Sequence, residues 1–203
     1  QYGADKAFDG TVSGGYGYLG SVNFNNTTGA YNKATPDNTS VDGANLAGEW
    51  LQVNVGKKVA VTSYKIYPQN WETRSIGGRS PHIFKLVYSD DGINWKIADS
   101  QTVGTDSSEA QGTEHWQTGS KTFTLTSIKA GQYWRLIVTS VYGTSAHVSI
   151  KEIESENIIL HLPINSKKVI QNSKEAELLT YNPKMNEPKP CKDSYFDNIL
   201  TKN

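Results

Sequence analysis

Apolar and polar residues alternate with a period of two in short bursts along this chain, and glycine, proline, asparagine and aspartate punctuate the intervals. The most informative burst is residues 48–55. There Leu51, Val53 and Val55 alternate with Gln52 and Asn54, so a pleated strand would carry its apolar set on one face and its amides on the other. A Gly-Lys-Lys turn follows, then residues 59–67, which are rich in β-branched and aromatic side chains and end at Pro68, a residue that cannot donate to a continuing ladder. The two segments read as a hairpin-like pair with one wet face, which belongs to an antiparallel sheet.

Further strands obey the same logic. Residues 84–88 form one; Ser89-Asp90-Asp91-Gly92 is a tight turn, because Asp-Gly supplies the positive φ of a short hairpin, and Trp95 to Ile97 start the return strand. Phe123 and Leu125 alternate into a strand, and residues 133–139 form another, with Leu136 and Val138 on one face and Arg135 and Ile137 on the other. In residues 148–154, Val148, Ile150 and Ile153 point inward around a bulge. Long polar loops separate these strands. The pattern predicts an all-β protein, an antiparallel jelly-roll β-sandwich, closing near Ser155. Residues 158–164 could add one more strand. From Asn165 onward Lys, Asn, Ser, Glu and Pro dominate without an amphipathic period, so residues 156–203 read as a linker or extended arm.

Composition narrows the function classes. A chain of 203 residues suits one domain plus an appendage. Lys plus Arg, 20, balances Asp plus Glu, 20, so no broad positive field argues for nucleic acid or an anionic membrane. The single cysteine, Cys191, leaves no intramolecular disulfide and no CxxC pair. No apolar run approaches membrane-spanning length, and Gln1 already stands in what reads as folded-domain sequence, so a leader or an earlier strand is expected to have preceded it. The Asn-X-Thr/Ser matches at Asn25, Asn26 and Asn38 are compositionally cheap. His82, His115, His147 and His161 form no metal-spaced pair, and there is no nucleophile elbow or phosphate loop. Glu109 and Glu114 could form a glycosidase pair only at a separation the sequence does not give. A noncatalytic protein is expected.

A set of blocks then resembles a known family. Ala7-Phe8-Asp9-Gly10, Gly48-Glu49-Trp50-Leu51-Gln52-Val53, Ser63-Tyr64-Lys65-Ile66, Arg79-Ser80-Pro81 with Phe84, Ser89-Asp90-Asp91-Gly92 with Trp95, Tyr133-Trp134-Arg135-Leu136 and Ile150-Lys151-Glu152-Ile153-Glu154 occur in family order over residues 1–155. Together they resemble the discoidin, or coagulation factor V/VIII C-type, domain of the galactose-binding-like superfamily. The spacing from Asp9 to Gly48, with Tyr31 preceded by Thr-Gly-Ala, looks like variants of large DNA viruses and marine microbes. Two departures stand out: the cysteine pair that clamps the ends of many animal members is absent, and the chain starts after the position of the family's first strand. The resemblance says nothing about residues 156–203.

The resemblance implies a calcium site. In a discoidin fold the domain termini meet, which would bring Asp9 of the Phe-Asp-Gly turn to Glu152 of the last strand, with oxygens near Ala7 and Thr11 completing the six to eight that calcium takes. The bland alternative is that Asp9 caps its own turn and Glu152 is a solvated strand residue.

Trp50, Trp95 and Trp134 fall on strands and read as core, and Arg135 among them is expected to pair with a carboxylate. Trp71 and Trp116 lie in polar loops, as do Tyr16, Tyr18 and Tyr142, and an exposed ring on a rigid scaffold is a stacking platform for a sugar; Arg74, Arg79, His115 and His147 could hydrogen-bond its hydroxyls. In glycan-binding relatives the ligand sits on loops at one end of the sandwich, and the resemblance places residues 14–20, 69–81, 104–118 and 140–147 there. Against this, Trp71 or Trp116 could fold back over the barrel end and Arg79 could be structural. The loops carry Trp71, Ile76 and Val141 without a cationic collar, so membrane insertion is not expected.

The expected function is therefore a noncatalytic carbohydrate-binding, lectin-like adhesion module, calcium-stabilised, facing the extracellular space or a virion surface. The alternative is a structural or minor capsid-type protein of a large viral assembly, docking on neighbouring subunits through the sandwich and an extended C-terminal arm.

Overall fold

The computed structural model describes residues 3–12, 17–69, 77–104, 116, 120–142, 146–156, 168–171 and 174–177. They form ten strands: β1 (Tyr18–Leu19), β2 (Asn38–Val41), β3 (Ala44–Ala47), β4 (Glu49–Pro68), β5 (Pro81–Ser89), β6 (Lys96–Thr102), β7 (Lys121–Val141), β8 (Ser149–Glu156), β9 (Lys168–Gln171) and β10 (Lys174–Glu177), with short 3-10 helices at Ala4–Ala7 and Gly77–Arg79. The main sheet runs β1-β8-β4-β7-β5-β6, every pairing antiparallel, and β2–β3 is a separate hairpin.

The segments on either side of the Gly-Lys-Lys turn do not pair with each other. They are one strand, β4, and both halves pair with β7: Glu49 to Asn54 lie opposite Val138 to Tyr133, and Val59 to Ile66 opposite Gly131 to Lys121. The turn residues are instead a wide bulge. Residues 55–58 face Gln132 alone, and Gly56 takes φ +75°, a left-handed value that costs a glycine nothing. An expected hairpin is thus a bend, and the strands expected around Phe123 and at 133–139 likewise merge into β7.

The bend makes the sandwich. Past Gly56 the second half of β4 lies across the core from the first, so Leu51 and Val53 share a cavity wall with Val61, Tyr64 and Ile153. Phe123, in the first half of β7, meets Phe84 of β5 edge-on at 5.3 Å and stacks on Tyr64 at 5.1 Å. The Tyr64 hydroxyl donates to Asp99 of β6 at 2.8 Å, tying the layers with a half-buried polar contact. The interleaved apolar face, from Leu51, Val53, Val55, Val59 and Ile66 to Leu136, Val138 and Ile150, forms one continuous core.

The face expected to be wet is partly covered. Gln52 is only 3 % exposed, because the β2–β3 hairpin closes over a second cluster of Val41, Trp50, Val87, Trp95 and Ile137. Arg135 lies between the rings of Trp50 and Trp95, its guanidinium carbon 4.0 and 4.2 Å from their centroids. Its Nε and Nη2 donate to Gln52 Oε1 at 3.0 and 2.5 Å, and its Nη1 to Thr39 Oγ1 at 2.5 Å. The expected carboxylate partner is replaced by an amide, a hydroxyl and two aromatic faces, which satisfy the planar donor fork without a second buried charge. Burial pulls the guanidinium down to about 10.

The β5–β6 hairpin is present as expected, with Gly92 at φ +74°. Its loop, Ser89 to Trp95, is longer than a two-residue turn and is organised by Asp91, whose Oδ1 accepts from the amides of Ile93 and Asn94 at 2.8 Å and from Ser89 Oγ. Residues 158–164 lie outside the described residues. Within the stretch read as a tail, β9 and β10 pair with each other, and β9 pairs with β4.

Candidate functional site

Because β4 and β7 both double back, their four ends meet at one pole, opposite the Gly56 bend. Ile66 pairs with Lys121, Pro68 with Ile150 of β8, Pro81 of β5 with Val141, and Ile83 with Thr102 of β6. The loops after β4, β6 and β7 all leave from this pole, and β1 joins it through Tyr18 opposite Ile150.

Their roots are bonded into one platform. The Val103 carbonyl accepts from the Tyr142 hydroxyl and lies 2.8 Å from His82 Nδ1; the Val103 amide donates to the His82 carbonyl at 2.8 Å, and the Tyr142 amide to the Ser80 carbonyl at 3.4 Å. The His82 and Tyr142 rings pack 4.7 Å apart. On the next strand Ser149 Oγ donates to Gln69 Oε1 at 2.5 Å. One carbonyl thus ties the β4–β5, β6–β7 and β7–β8 loops together, and Gln69, Ser80, His82, Tyr142 and Ser149 are all buried. Polar groups held out of water in this way persist only when mutually satisfied, and then they fix geometry.

This geometry sorts the expected ligand contacts. Tyr18, Trp116 and Tyr142 are buried rather than exposed stacking faces, at 0, 2 and 0 % exposure. Tyr18 belongs to β1, and its hydroxyl donates to the buried Glu49 at 2.7 Å, beside Asn23 Nδ2 at 2.5 Å from the other Glu49 oxygen. Tyr142 is the keystone of the platform. Trp116 folds back into the main core, as the bland reading had it, with the Lys121 ammonium 6.0 Å from its ring. Each is an aromatic residue whose neighbouring glycines and polar residues suggested a loop while its own ring faces the core. His147 is half-buried, its Nδ1 2.8 Å from the Gly20 carbonyl, so it and Tyr18 flank the same glycine. Arg79 ends the 3-10 helix directly before the platform residue Ser80 and is half-buried. Trp71, Arg74, His115 and Tyr16 lie outside the described residues.

The platform residues Gln69, Ser80, His82 and Ser149 are the part sequence reasoning missed. Their signal was positional, a polar residue at the last or first step of a strand that borders a long loop.

The carboxylates expected to meet do meet. Glu152 is fully buried, with Oε2 accepting the Gly10 amide at 3.1 Å and Oε1 without any hydrogen-bond partner. Burial, then the neighbouring Asp9 and Glu154 charges, push its carboxyl up to about 9. The reading of Glu152 as a solvated strand residue is therefore wrong. Asp9 does cap its turn, Oδ1 accepting the Thr11 amide at 3.0 Å, and its Oδ2 holds the Lys6 ammonium at 3.0 Å. The orphaned buried Glu152 oxygen, close enough to Asp9 to feel its charge, is a hard oxygen donor of the kind a divalent ion takes, and the Lys6 ammonium would have to leave Asp9 for that ion to bind. Among the described residues no group of three or more His, Cys, Asp or Glu is assembled, so the remaining oxygens of such a site would be carbonyls and hydroxyls, those of Ala7 and Thr11 being nearest in sequence.

No protein-family model matches the sequence, and no curated protein matches it. Solved structures do. The family 32 carbohydrate-binding module of Clostridium perfringens NanJ, in complex with galactose, is 17 % identical, with a TM-score of 0.45 over 75 % of this chain and 82 % of that one. The family 32 module of Streptococcus pneumoniae EndoD is 22 % identical, with a TM-score of 0.41 over 54 % of this chain and 70 % of that one. Chitosan-binding module 2 of a Paenibacillus chitosanase/glucanase, in complex with chitotriose, is 14 % identical, with a TM-score of 0.39 over 55 and 76 %. Family 32 modules belong to the discoidin, or galactose-binding-like, superfamily named from the sequence blocks. The fold of this chain is an antiparallel β-sandwich.

Proposed function

We propose that this chain is a noncatalytic carbohydrate-binding module whose ligand is held by the loops of the open pole. The observation that carries this reading is the shared root at Val103, His82 and Tyr142: the segments bearing Trp71, Arg74, Arg79 and His115 all depart from one buried, hydrogen-bonded platform. A buried, hydrogen-bonded base beneath segments whose sequences carry an indole, two guanidiniums and an imidazole would supply what a sugar needs, an aromatic face for its C–H surface and planar donors for its hydroxyls. Monovalent affinity is modest for so few contacts, so display in several copies matters. Such a module works where glycans are exposed, on a cell or virion surface.

Calcium fits the second site. Asp9 and Glu152 would hold it, with the Ala7 carbonyl and Thr11 oxygens as further donors. When bound, the ion would supply the positive charge that lets the buried Glu152 carboxyl give up the proton it otherwise keeps beside Asp9. Its role is structural, since Glu152 anchors the turn after the N-terminal 3-10 helix to β8.

One observation favours the second reading, a structural component of a large viral assembly: the tail contains a strand that pairs with a sheet edge.

The test is a glycan array probed with the full chain displayed multivalently, with and without chelator; galactose and chitotriose, bound by the similar modules, head the ligands to try. Binding that is lost in Trp71→Ala or Arg74→Ala establishes the reading. Silence from folded protein across the array transfers the function to the assembly role.

A further inference from the structure

The two layers do not meet everywhere. Where the halves of β4 face each other a cavity of about 40 Å³ remains, walled by Leu51, Val53 and Leu136 from one layer and by Val61, Tyr64 and Ile153 from the other. That volume takes roughly three water-sized spheres, which is large for an interior packed as densely as an organic crystal. Glu154, half-buried on β8, also lines it and brings it to the surface there.

One polar group on the lining is unspent. Ser155 stands opposite Tyr64 in the β8–β4 register, so its side chain shares the inward face of Tyr64. It lines the cavity, is 8 % exposed, and its hydroxyl has no hydrogen-bond partner. The other polar side chains of the lining are committed: the Tyr64 hydroxyl donates to Asp99 at 2.8 Å, the Trp134 indole N–H to the Gly131 carbonyl at 3.0 Å, and Glu154 accepts from the Tyr67 hydroxyl at 3.0 Å. A buried hydroxyl left unpaired costs free energy that a bound molecule can return.

Size, polarity and this hydroxyl together select the guest. Water needs two to four polar partners and would find one. An ion or an amine would lose its hydration without a countercharge, and a sugar ring exceeds the volume and would strand its own hydroxyls. What fits is an uncharged molecule of about three heavy atoms, apolar except at one end. An alcohol uses both capacities of Ser155, because each hydroxyl can donate and accept, whereas a carbonyl end can only accept.

We propose that this cavity is a binding site for a short-chain aliphatic alcohol, with its hydroxyl on Ser155 and its carbon chain against Leu51, Val53, Val61 and Ile153. The site lies inside the sandwich, apart from the open pole, and does not depend on the carbohydrate reading. A guest of about three heavy atoms reaches a dissociation constant of about a millimolar at best, so the site fills only where such molecules are abundant.

The experiment titrates the isotope-labelled full chain with ethanol and, separately, with dissolved xenon as a purely apolar probe, following methyl resonances by NMR. Ethanol should move the Leu51, Val53, Val61 and Ile153 methyls along saturable curves, while the exposed Val22 and Ile128 show only linear solvent drift. Ser155→Ala keeps the void and deletes the hydroxyl; it should weaken ethanol about two- to tenfold and leave the xenon titration unchanged. Ser155→Leu fills the void and should erase both titrations. Because leucine can overpack the core, Ser155→Ala, which removes an unpaired group and leaves the packing alone, decides the case by itself. Drift without saturation for both probes overturns the site. Saturable xenon shifts without ethanol binding, or ethanol affinity unchanged in Ser155→Ala, overturn the alcohol assignment. No glycan enters these measurements, so their failure leaves the carbohydrate reading standing, and the reverse also holds.

Discussion

Replacing Glu152 by glutamine should stabilise the metal-free protein, although it alters a fully buried strand residue. In the folded chain burial, aided by Asp9 and Glu154, pushes the Glu152 carboxyl up to about 9, against an ordinary value of 4.5. A carboxyl raised in this way contributes stability that is fully present below pH 4.5 and is lost as pH rises toward 9, because the unfolded chain releases a proton that the folded chain keeps. The loss is about 1.4 kcal/mol per pH unit, hence about 3 kcal/mol at pH 7 and under 1 kcal/mol at pH 5. Glutamine does not ionise in either state and keeps an oxygen for the Gly10 amide. Denaturant unfolding in EDTA should therefore show Glu152→Gln more stable than the native sequence by about 2–3 kcal/mol at pH 7, with the two nearly equal at pH 5. Calcium should reverse the order at pH 7, stabilising the native sequence and leaving the variant unmoved. A variant equally destabilised at both pH values would refute the reasoning, since it would make Glu152 a packing residue whose ionisation does not enter folding.

Three further outcomes follow from the buried polar contacts. Tyr142→Phe removes the hydroxyl shared with His82 at the Val103 carbonyl and should cost about 1 kcal/mol, read as a melting point lower by roughly 2–4 °C, together with a larger loss of glycan affinity than that stability change explains. Arg135→Lys should cost about 2–3 kcal/mol in denaturant unfolding, because an ammonium can neither fork onto Gln52 nor stack between Trp50 and Trp95; an unchanged midpoint would show the sandwich to be passive. Gly48→Ala places a Cβ 2.6 Å from Ile137 Cγ2 and 2.8 Å from the Val138 carbonyl, so the β4–β7 ladder must open at its start and soluble yield or melting point should fall.

The strands were legible wherever one face is buried, because alternation is a direct record of which side chains face the core; β5, β6 and β8 stand where the pattern put them. The bend in β4 was not. Gly56-Lys57-Lys58 has the composition of a reversing turn, and only the pairing of both flanks with β7 distinguishes a bulge from a hairpin. Arg135 misled for a related reason. Sequence suggests a countercharge for a buried cation, while the solution comes from Trp50, Trp95, Gln52 and Thr39, brought from three separate segments. The carboxylate pair was legible through the family blocks, and the structure adds what sequence could not, that one Glu152 oxygen is buried and unpartnered. Tyr18 and Tyr142 were misread as surface platforms because an aromatic set among glycines and polar residues looks the same whether its ring points out or in.

The most direct test of a sugar site on the open pole uses the five tryptophans as reporters. Their indole N–H resonances, assigned by single substitution, are followed by NMR while an oligosaccharide selected on the array is titrated into the full chain. The account predicts that the Trp71 resonance moves progressively with ligand while those of Trp50, Trp95 and Trp134, which belong to strands and their covered faces, stay in place. Shifts confined to Trp50 and Trp95, or binding with Trp71 unmoved, would contradict it and would relocate recognition to the β2–β3 face.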